Sequence, residues 1–469
     1  MIATQTALFE INIPKLKPTQ VFEESRLFFY EEYQKLDKQY YVNINNSYQY
    51  LVNFSQIKHL PIHRWFYYQE GYSSDLIIKI LKYLDLSDKN PIILDPFAGS
   101  GTTLLTAKQL GLQAIGFEIN PFSVFMIEGK IQEYSDEELE IVANFELPRY
   151  ETVENLYENS EFSMIEKLFE KTQLEKISLL KKQINQQKNT KVKHILWVAL
   201  LCIIQDASFY KKAGNGIKKK KVYQQKDVFE LYEHKIKQIT EDLKLFSNQI
   251  ANVISDKNNT KIILDSCLNM QKYEIENFDL AIFSPPYANC FDYYEVYKME
   301  LWIGEFVDSY ESLRKLRKEA LTSNLNANLH QKITPKYPCE LLEKIVAELR
   351  NSAQLWDKKI PTMLELYFAE MGILLESLYN KTNKNGYCVI VVGNSAYAGL
   401  AVPTDLILAN IAEKIGFEVQ EIIIARKNET SSQQYKIIGK FIEYIRESIV
   451  ILKKTVKIPL IPEEEIKKT

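Results

Sequence analysis

An α/β fold built on one doubly wound, largely parallel sheet is predicted by three features of the chain. Residues 91–121, PIILDPFAGSGTTLLTAKQLGLQAIGFEINP, read as strand, glycine loop, helix and second strand ending in an acid. KIILDS and FDLAIFSPPY repeat the pattern of an apolar run closed by a breaker. GYCVIVVGNS, VQEIII and SIVILKK add three later strands, so about seven are expected, four before Ser284 and three after Tyr387. Strands alternating with long helical segments indicate a sheet covered on both faces.

Taken in order, residues 1–60 are tyrosine-rich without a clean period and read as an N-terminal extension. Residues 61–134 form the first half of the sheet domain. Ser73 or Ser74 can cap a helix whose face is Leu76, Ile77, Ile80, Leu81 and Leu84. Ile92–Leu94 make a strand that Asp95-Pro96 ends, and Gly99 and Gly101 permit the tight turn that follows. Thr102 is expected to cap the next helix and Gly111 to stop it. Ala114–Phe117 carry the second strand to Glu118, and a helix runs from Pro121 to about Tyr134.

Residues 135–255 are mostly helical and too long for a connection within a sheet, so they read as an insertion. Within it, Ile195–Ile204 is too short to span a membrane and should be a buried helix. Residues 256–455 return to the sheet pattern. Ile262–Leu264 lead to Asp265, and Leu280–Phe283 open into Ser284-Pro285-Pro286-Tyr287, whose prolines end the strand and stiffen the loop. TSNLNANLHQKI, from Thr322, is polar and reads as a mobile stretch. A helix pair covers about 340–379, a helix runs from Thr404 to near Gly416, and residues 456–469 read as a frayed tail.

Composition narrows the class. Among 469 residues, 46% are hydrophobic and 25% charged, the balance of an ordinary globular protein. A net charge of −3 gives no global basicity, so contact with nucleic acid requires local patches. The five cysteines form no CxxC pair and read as reduced thiols, and no metal site is expected. The opening MIATQTALFEINIP lacks a basic segment followed by an apolar core, so a cytoplasmic protein without a membrane anchor is the expectation.

The glycine loop lacks the lysine and Ser/Thr of a phosphate cradle, and it lacks the third glycine of the dinucleotide fingerprint. An uncharged loop suits a ligand with little phosphate, and a carboxylate after the second strand suits a ribose diol. Together they favour an adenosyl cofactor such as S-adenosylmethionine, with another nucleotide or a purely structural loop as the alternatives. The Ser-Pro-Pro-Tyr loop is expected beside it, because a doubly wound sheet brings strand ends together. An exocyclic amine delocalises its lone pair into the ring and becomes nucleophilic when acceptors hold its protons. Ser284 Oγ and the Pro285 carbonyl are suitable acceptors, and Tyr287 can stack on the ring of a flipped base. Taken alone, such a tetrapeptide is more often a structural turn, Phe97 a packing aromatic and Glu118 a surface acid.

The pair DPFAGSGTT and FSPPY resembles the amino-group DNA methyltransferases that use S-adenosylmethionine, and serine at the first tetrapeptide position resembles their cytosine-N4 branch. The resemblance covers about 63–130 and 260–453 and implies a Rossmann-like seven-stranded methyltransferase sheet. It implies cofactor contacts at Asp95, Phe97, Ala98, Gly99, Ser100, Gly101 and Thr102, with Glu118 on the ribose and Asp265 beside the adenine ring. The segment Tyr68–Ser74, with Tyr68 and Ser73 as candidates, matches the part that wraps the methionine end. Ser284, Pro285, Pro286 and Tyr287 match the catalytic loop, and VVGNS at Val391–Ser395 resembles the turn lining the target pocket. It also implies double-stranded DNA as partner, a restriction-modification role with a separately encoded cognate endonuclease, and a monomer or loose dimer.

Target recognition is expected in residues 135–255 or 305–360. DASFYKKAGNGIKKKKVY carries Lys211, Lys212, Lys218, Lys219, Lys220 and Lys221, which are either a solvated loop or phosphate-backbone contacts. The competing functions are adenine-N6 methylation, RNA amino-group methylation and an inactive DNA-binding module. The last would predict damage in the glycine loop or tetrapeptide, and both are intact. Carbon-5 methylation would need a cysteine at a strand end, where Cys339 does not fall.

Overall fold

The computed structural model describes residues 26–68, 71–153, 161, 163–214, 216–250, 260–428 and 432–455. The expected tail 456–469, residues 1–25 of the extension and the end of the insertion at 251–255 lie outside them.

Twelve strands are described: β1 (Val42–Ile44), β2 (Ile93–Asp95), β3 (Ala114–Glu118), β4 (Tyr210–Lys212), β5 (Ile217–Lys219), β6 (Thr260–Leu264), β7 (Phe278–Phe283), β8 (Thr382–Gly393), β9 (Ser395–Tyr397), β10 (Leu400–Val402), β11 (Glu418–Lys427) and β12 (Arg446–Lys453). Eight form the main sheet in the order β1-β11-β12-β8-β7-β2-β3-β6. All neighbours are parallel except β12, which runs antiparallel to both β11 and β8. The seven expected strands are present in this Rossmann-like sheet. The eighth, β1, comes from the stretch that showed no period, and it pairs Val42–Ile44 with Ile422–Ile424.

Side-chain alternation sorts the sheet into two apolar layers. On β7, Ala281 and Phe283 face the layer made with helices Glu340–Asn351, Ile360–Lys381 and Thr404–Ile415. Leu280 and Ile282 face the opposite layer, under helices Ser74–Tyr83 and Thr102–Gln109. Ser73 caps the first of these helices by accepting from the Asp75 N–H. The expected Thr102 cap is not formed. Gly101 occupies that position at φ +79°, without a side-chain bond, and Thr102 is the first helical residue.

The helical section contains Asp136–Ala143, Lys171–Asn185, Thr190–Ala207 and Val228–Ile250. Its apolar faces share one buried cluster with Trp65, Tyr68 and Phe122, so the helices close directly over the sheet domain's own side chains. The run Ile195–Ile204 sits inside the buried helix as expected, and among the described residues no helix is long and apolar enough to cross a membrane. Between the third and fourth helices the lysine-rich segment folds as the hairpin β4–β5.

A single carboxylate ties this layer to residues 62–65. Asp242, fully buried, accepts from the Ile62 N–H at 2.8 Å, Trp65 Nε1 at 2.9 Å, Arg64 Nε at 3.0 Å and Arg64 Nη2 at 2.5 Å. Both of its oxygens are engaged, and without it the Ile62 and Trp65 donors would be buried and unpaired. Asp242→Ala is expected to lower the unfolding free energy by about 3 kcal/mol in urea titrations. An unchanged midpoint would show that the clamp contributes nothing to stability.

Candidate active site

The loop after β2 stands on Asp95. This carboxylate is buried and accepts from the Phe97 N–H at 3.0 Å, Thr103 Oγ1 at 2.5 Å and Tyr72 OH at 3.1 Å. Burial pushes its pKa up to about 6, against the opposing pull of those bonds. Asp95 therefore holds the loop from beneath and does not line the cleft. Gly99 and Gly101 have φ of +52° and +79°, and a Cβ at Gly101 would stand 2.8 Å from Ile127. Ala98 is buried, donating from its N–H to the Phe117 carbonyl and accepting from the Gly101 N–H. Ser100 and Thr102 pair hydroxyl to hydroxyl at 3.0 Å, and the Ser100 carbonyl accepts from the buried Lys130 ammonium at 2.7 Å.

What faces the cleft is the outer side of this loop. One cleft is lined by Tyr68, Phe97, Gly99, Glu118, Asp265, Ser284 and Pro286 of the expected site residues. Asp95, Ala98, Ser100, Gly101, Thr102 and Ser73 do not line it. Glu118 accepts from the Gly99 N–H and the Asn120 N–H, each at 2.8 Å, and burial pushes its pKa up to about 7. Burial acts to raise the Asp265 carboxyl, but bonds from Asn269 Nδ2 and Tyr273 OH, both 2.8 Å, outweigh it and hold the pKa below the ordinary value. Tyr68 is clamped by its ring stacked on Tyr297, with centroids 4.9 Å apart and planes at 16°. A left-handed glycine turn, a carboxylate fixed by backbone N–H groups and an apolar wall fit an adenosyl ligand.

β7 delivers the second loop to the same cleft. Pro285 is buried, whereas Ser284 and Pro286 reach the wall. Tyr287 turns to a second cleft of about 330 Å³, which it shares with Tyr67, Arg426 and Glu447. Its ring lies over Gly393, where a Cβ would be 2.7 Å from Cε2, so the Val391–Ser395 segment meets the loop through its glycine. Ser284 Oγ donates to Tyr287 OH at 3.5 Å, and Tyr287 OH donates to Glu447 Oε1 at 2.5 Å. Arg426 Nε donates to Glu447 Oε2 at 2.5 Å.

Part of the cleft was not anticipated. Leu321, Ser323 and Asn324 line it, and Thr322 to Asn324 are buried despite their polarity. The reason is Glu370 on helix Ile360–Lys381, which accepts from the Thr322 N–H at 2.6 Å and Thr322 Oγ1 at 2.9 Å. Asp292 adds a second tie by accepting from Asn326 Nδ2 at 2.9 Å. Glu370, set in the otherwise apolar helical run YFAEMGILL, is the one local sign of such a contact.

The lysine hairpin divides by role. Lys212 is buried, paired with Glu300 at 2.6 Å and seated 3.9 Å over the Phe66 ring. Lys220 donates to the Gln205 and Ser208 carbonyls and so closes the end of helix Thr190–Ala207. Lys211, Lys218, Lys219 and Lys221 are exposed.

A family model described as D12 class N6 adenine-specific DNA methyltransferase matches residues 74–333, more than half of the chain. A second, described as DNA methylase, matches residues 15–128. The Type II methyltransferase M.AvaI of Nostoc sp. is 29% identical over 463 residues, covering 91% of this chain and 95% of the relative. The Type II methyltransferase M.BsoBI of Geobacillus stearothermophilus is 29% identical over 457 residues, covering 86% and 88%. The D12 match overturns the expectation of a cytosine-N4 branch drawn from Ser284. A hydroxyl in the tetrapeptide is simply a hydrogen-bond acceptor, and cytosine N4 and adenine N6 present the same donor to it. The chain belongs to the S-adenosylmethionine-dependent amino-group DNA methyltransferases, in the family described as D12 class N6 adenine-specific.

Proposed function

We propose that the protein methylates the N6 amine of adenine in duplex DNA, as the modification enzyme of a restriction-modification pair with a separately encoded endonuclease. The base assignment is carried by the D12 match over residues 74–333, and the modification role by the Type II designation of the relatives. The reading places the enzyme in the cytoplasm, as a monomer or loose dimer. It takes residues 61–134 as the cofactor half, 256–455 as the catalytic half and 135–255 as the target-recognition region.

When bound, the cofactor supplies an electrophilic methyl group on a sulfonium. The chain's residues do the rest in this reading. Glu118 accepts from the ribose hydroxyls, Phe97 and Gly99 bound the donor, and Asp265 faces the adenine end. Asp95, Ala98, Ser100, Gly101, Thr102 and Ser73 keep the loop and its neighbouring helix in shape without touching the ligand. Ser284 Oγ and the Pro285 carbonyl hold the protons of the target amine and favour a tetrahedral nitrogen, and Tyr287 stacks on the flipped base. Lys211, Lys218, Lys219 and Lys221 meet the phosphate backbone, while Lys212 and Lys220 are engaged inside the protein.

Incubation with labelled methyl donor and mixed DNA, followed by nucleoside identification, is expected to yield N6-methyladenine. Recovery of N4-methylcytosine in its place would overturn the base assignment. Ser284→Ala is expected to slow methyl transfer about a hundredfold with donor affinity little changed. Full activity would remove serine from the amine. Ionised Glu118 is the stronger acceptor for ribose hydroxyls, so donor affinity should fall as pH drops through about 7. Glu118→Gln should flatten this dependence in calorimetric titrations between pH 8 and 6. Replacing Lys211, Lys218, Lys219 and Lys221 with alanine should weaken DNA binding and reduce its salt slope by about 0.9 per lost phosphate contact. An unchanged slope would take the hairpin off the DNA.

A further inference from the structure

Glu447 lies on β12, a strand to which the methyl-transfer chemistry described above assigns no role. Its carboxylate is 3% exposed and yet stands in hydrogen-bond contact with the catalytic loop. A buried acid could serve only to steady the sheet, but its two oxygens are divided between very different partners. Oε2 takes Arg426 Nε from β11, and Oε1 takes the hydroxyl proton of Tyr287. Tyr287 OH is in turn the acceptor for Ser284 Oγ. The donors therefore all point one way, from Ser284 through Tyr287 to Glu447. The lone pairs of Ser284 Oγ are left for an amine in the main cleft, which that residue lines.

The reaction needs such an exit. As the nitrogen–carbon bond forms, the donor's sulfur–carbon bond breaks and its electron pair returns to sulfur, leaving a neutral thioether. The positive charge moves to the methylated nitrogen, which must then lose one proton to become the neutral product. Serine alone is too weak a base to keep that proton.

We propose that Glu447 is the terminal proton acceptor for the target amine, reached through the hydroxyls of Ser284 and Tyr287. One proton moves at each link: amine to Ser284 Oγ, Ser284 to Tyr287 OH, and Tyr287 to Glu447, which becomes a neutral acid. Neither hydroxyl changes its net protonation. The 3.5 Å step between Ser284 and Tyr287 is the long one, and it shortens when the amine presses on the serine, as catalytic hydrogen bonds commonly do on substrate binding. The relay ends at the second cleft, which Glu447, Arg426 and Tyr287 line, so the proton has a route to solvent that avoids the cofactor side.

The groups facing Glu447 are Arg426 from β11 and Tyr287 from the loop, with Tyr67 on the wall of the same cleft. β8 contributes Gly393, paired with Glu447 across the sheet and without a side chain. Burial raises the Glu447 pKa above the ordinary carboxylate value, against the lowering effect of Arg426 and Tyr287. Only the ionised form accepts a proton, so the rate should rise with pH through that raised value and fall below it.

The inference rests on the reading of Ser284 as the group that meets the amine, and it holds for whichever DNA amine the enzyme methylates. Its test is single-turnover methyl transfer by the full chain from pH 5 to 9, with donor and DNA affinities measured on the same samples. Glu447→Gln keeps an acceptor for Tyr287 but cannot take a proton. Tyr287→Phe keeps the ring and cuts the link. Both are expected to slow transfer by about ten- to a hundredfold, to lose the acid limb of the profile, and to bind donor and DNA within about twofold of the parent. Parent-like rates in Glu447→Gln, or slow transfer with the acid limb retained in both variants, would overturn the relay and leave Glu447 a structural residue. Ser284→Ala is run alongside. If it keeps the full rate, the reading of the loop fails, an outcome distinct from failure at Glu447.

Discussion

Everything at the cleft depends on one strand pairing, that of β2 with β7. Leu94 lies beside Ala281 and Ile93 beside Leu280, in parallel, so both strands release their loops at the same edge of the sheet. The pairing is fastened at its start as well, where the Asp279 carboxylate accepts from the Ile92 N–H at 2.9 Å. A glycine loop and a proline-stiffened loop thereby become neighbours. The cleft is walled by both, with Phe97 and Gly99 from one and Ser284 and Pro286 from the other.

Rigidity comes from groups placed behind the surface. Asp95, Glu370 and Asp242 each satisfy several backbone or side-chain groups, and the buried Lys130 ammonium donates to the Ser100 carbonyl, all without lining the cleft. Buried charges of this kind are costly unless fully paired, and here their bonds run to the segments that must not move. Tyr68 illustrates the outcome. It is set in the wall by stacking on Tyr297, and Lys212 sits 4.5 Å from that same ring, joining the basic hairpin to the cleft wall through packed side chains.

The strands, the glycine loop and the tetrapeptide were legible because each is written in a short stretch: β-branched runs, positive-φ glycines and prolines that end a strand. Contacts made across the chain were not. β1 is three residues long and takes its place from the free side of β11, so no local pattern marks it. Thr322 to Asn324 look like solvated loop residues, and their burial is decided by Glu370, 48 positions from Thr322. The lysine run could not be divided from composition, because Lys212 and Lys220 differ from their neighbours only in what lies beneath them. Thr102 has the chemistry of a cap, but the left-handed turn puts Gly101 in that place. Serine in the tetrapeptide carried less about the base than its resemblance suggested, since an acceptor serves either amine.

The distance in sequence between β2 and β7 has a consequence for how the protein comes into being. Ile92 and Asp279 are 187 positions apart, and β8, β11 and β12 follow later still. On a ribosome, the glycine loop emerges long before the strand that completes its site, and the sheet closes only with the last hydrogen-bonded strand. Contacts so remote in sequence form slowly. A truncated or half-made chain thus carries the ligand loop without the Ser-Pro-Pro-Tyr loop, and methylating capacity arrives all at once, with the finished molecule.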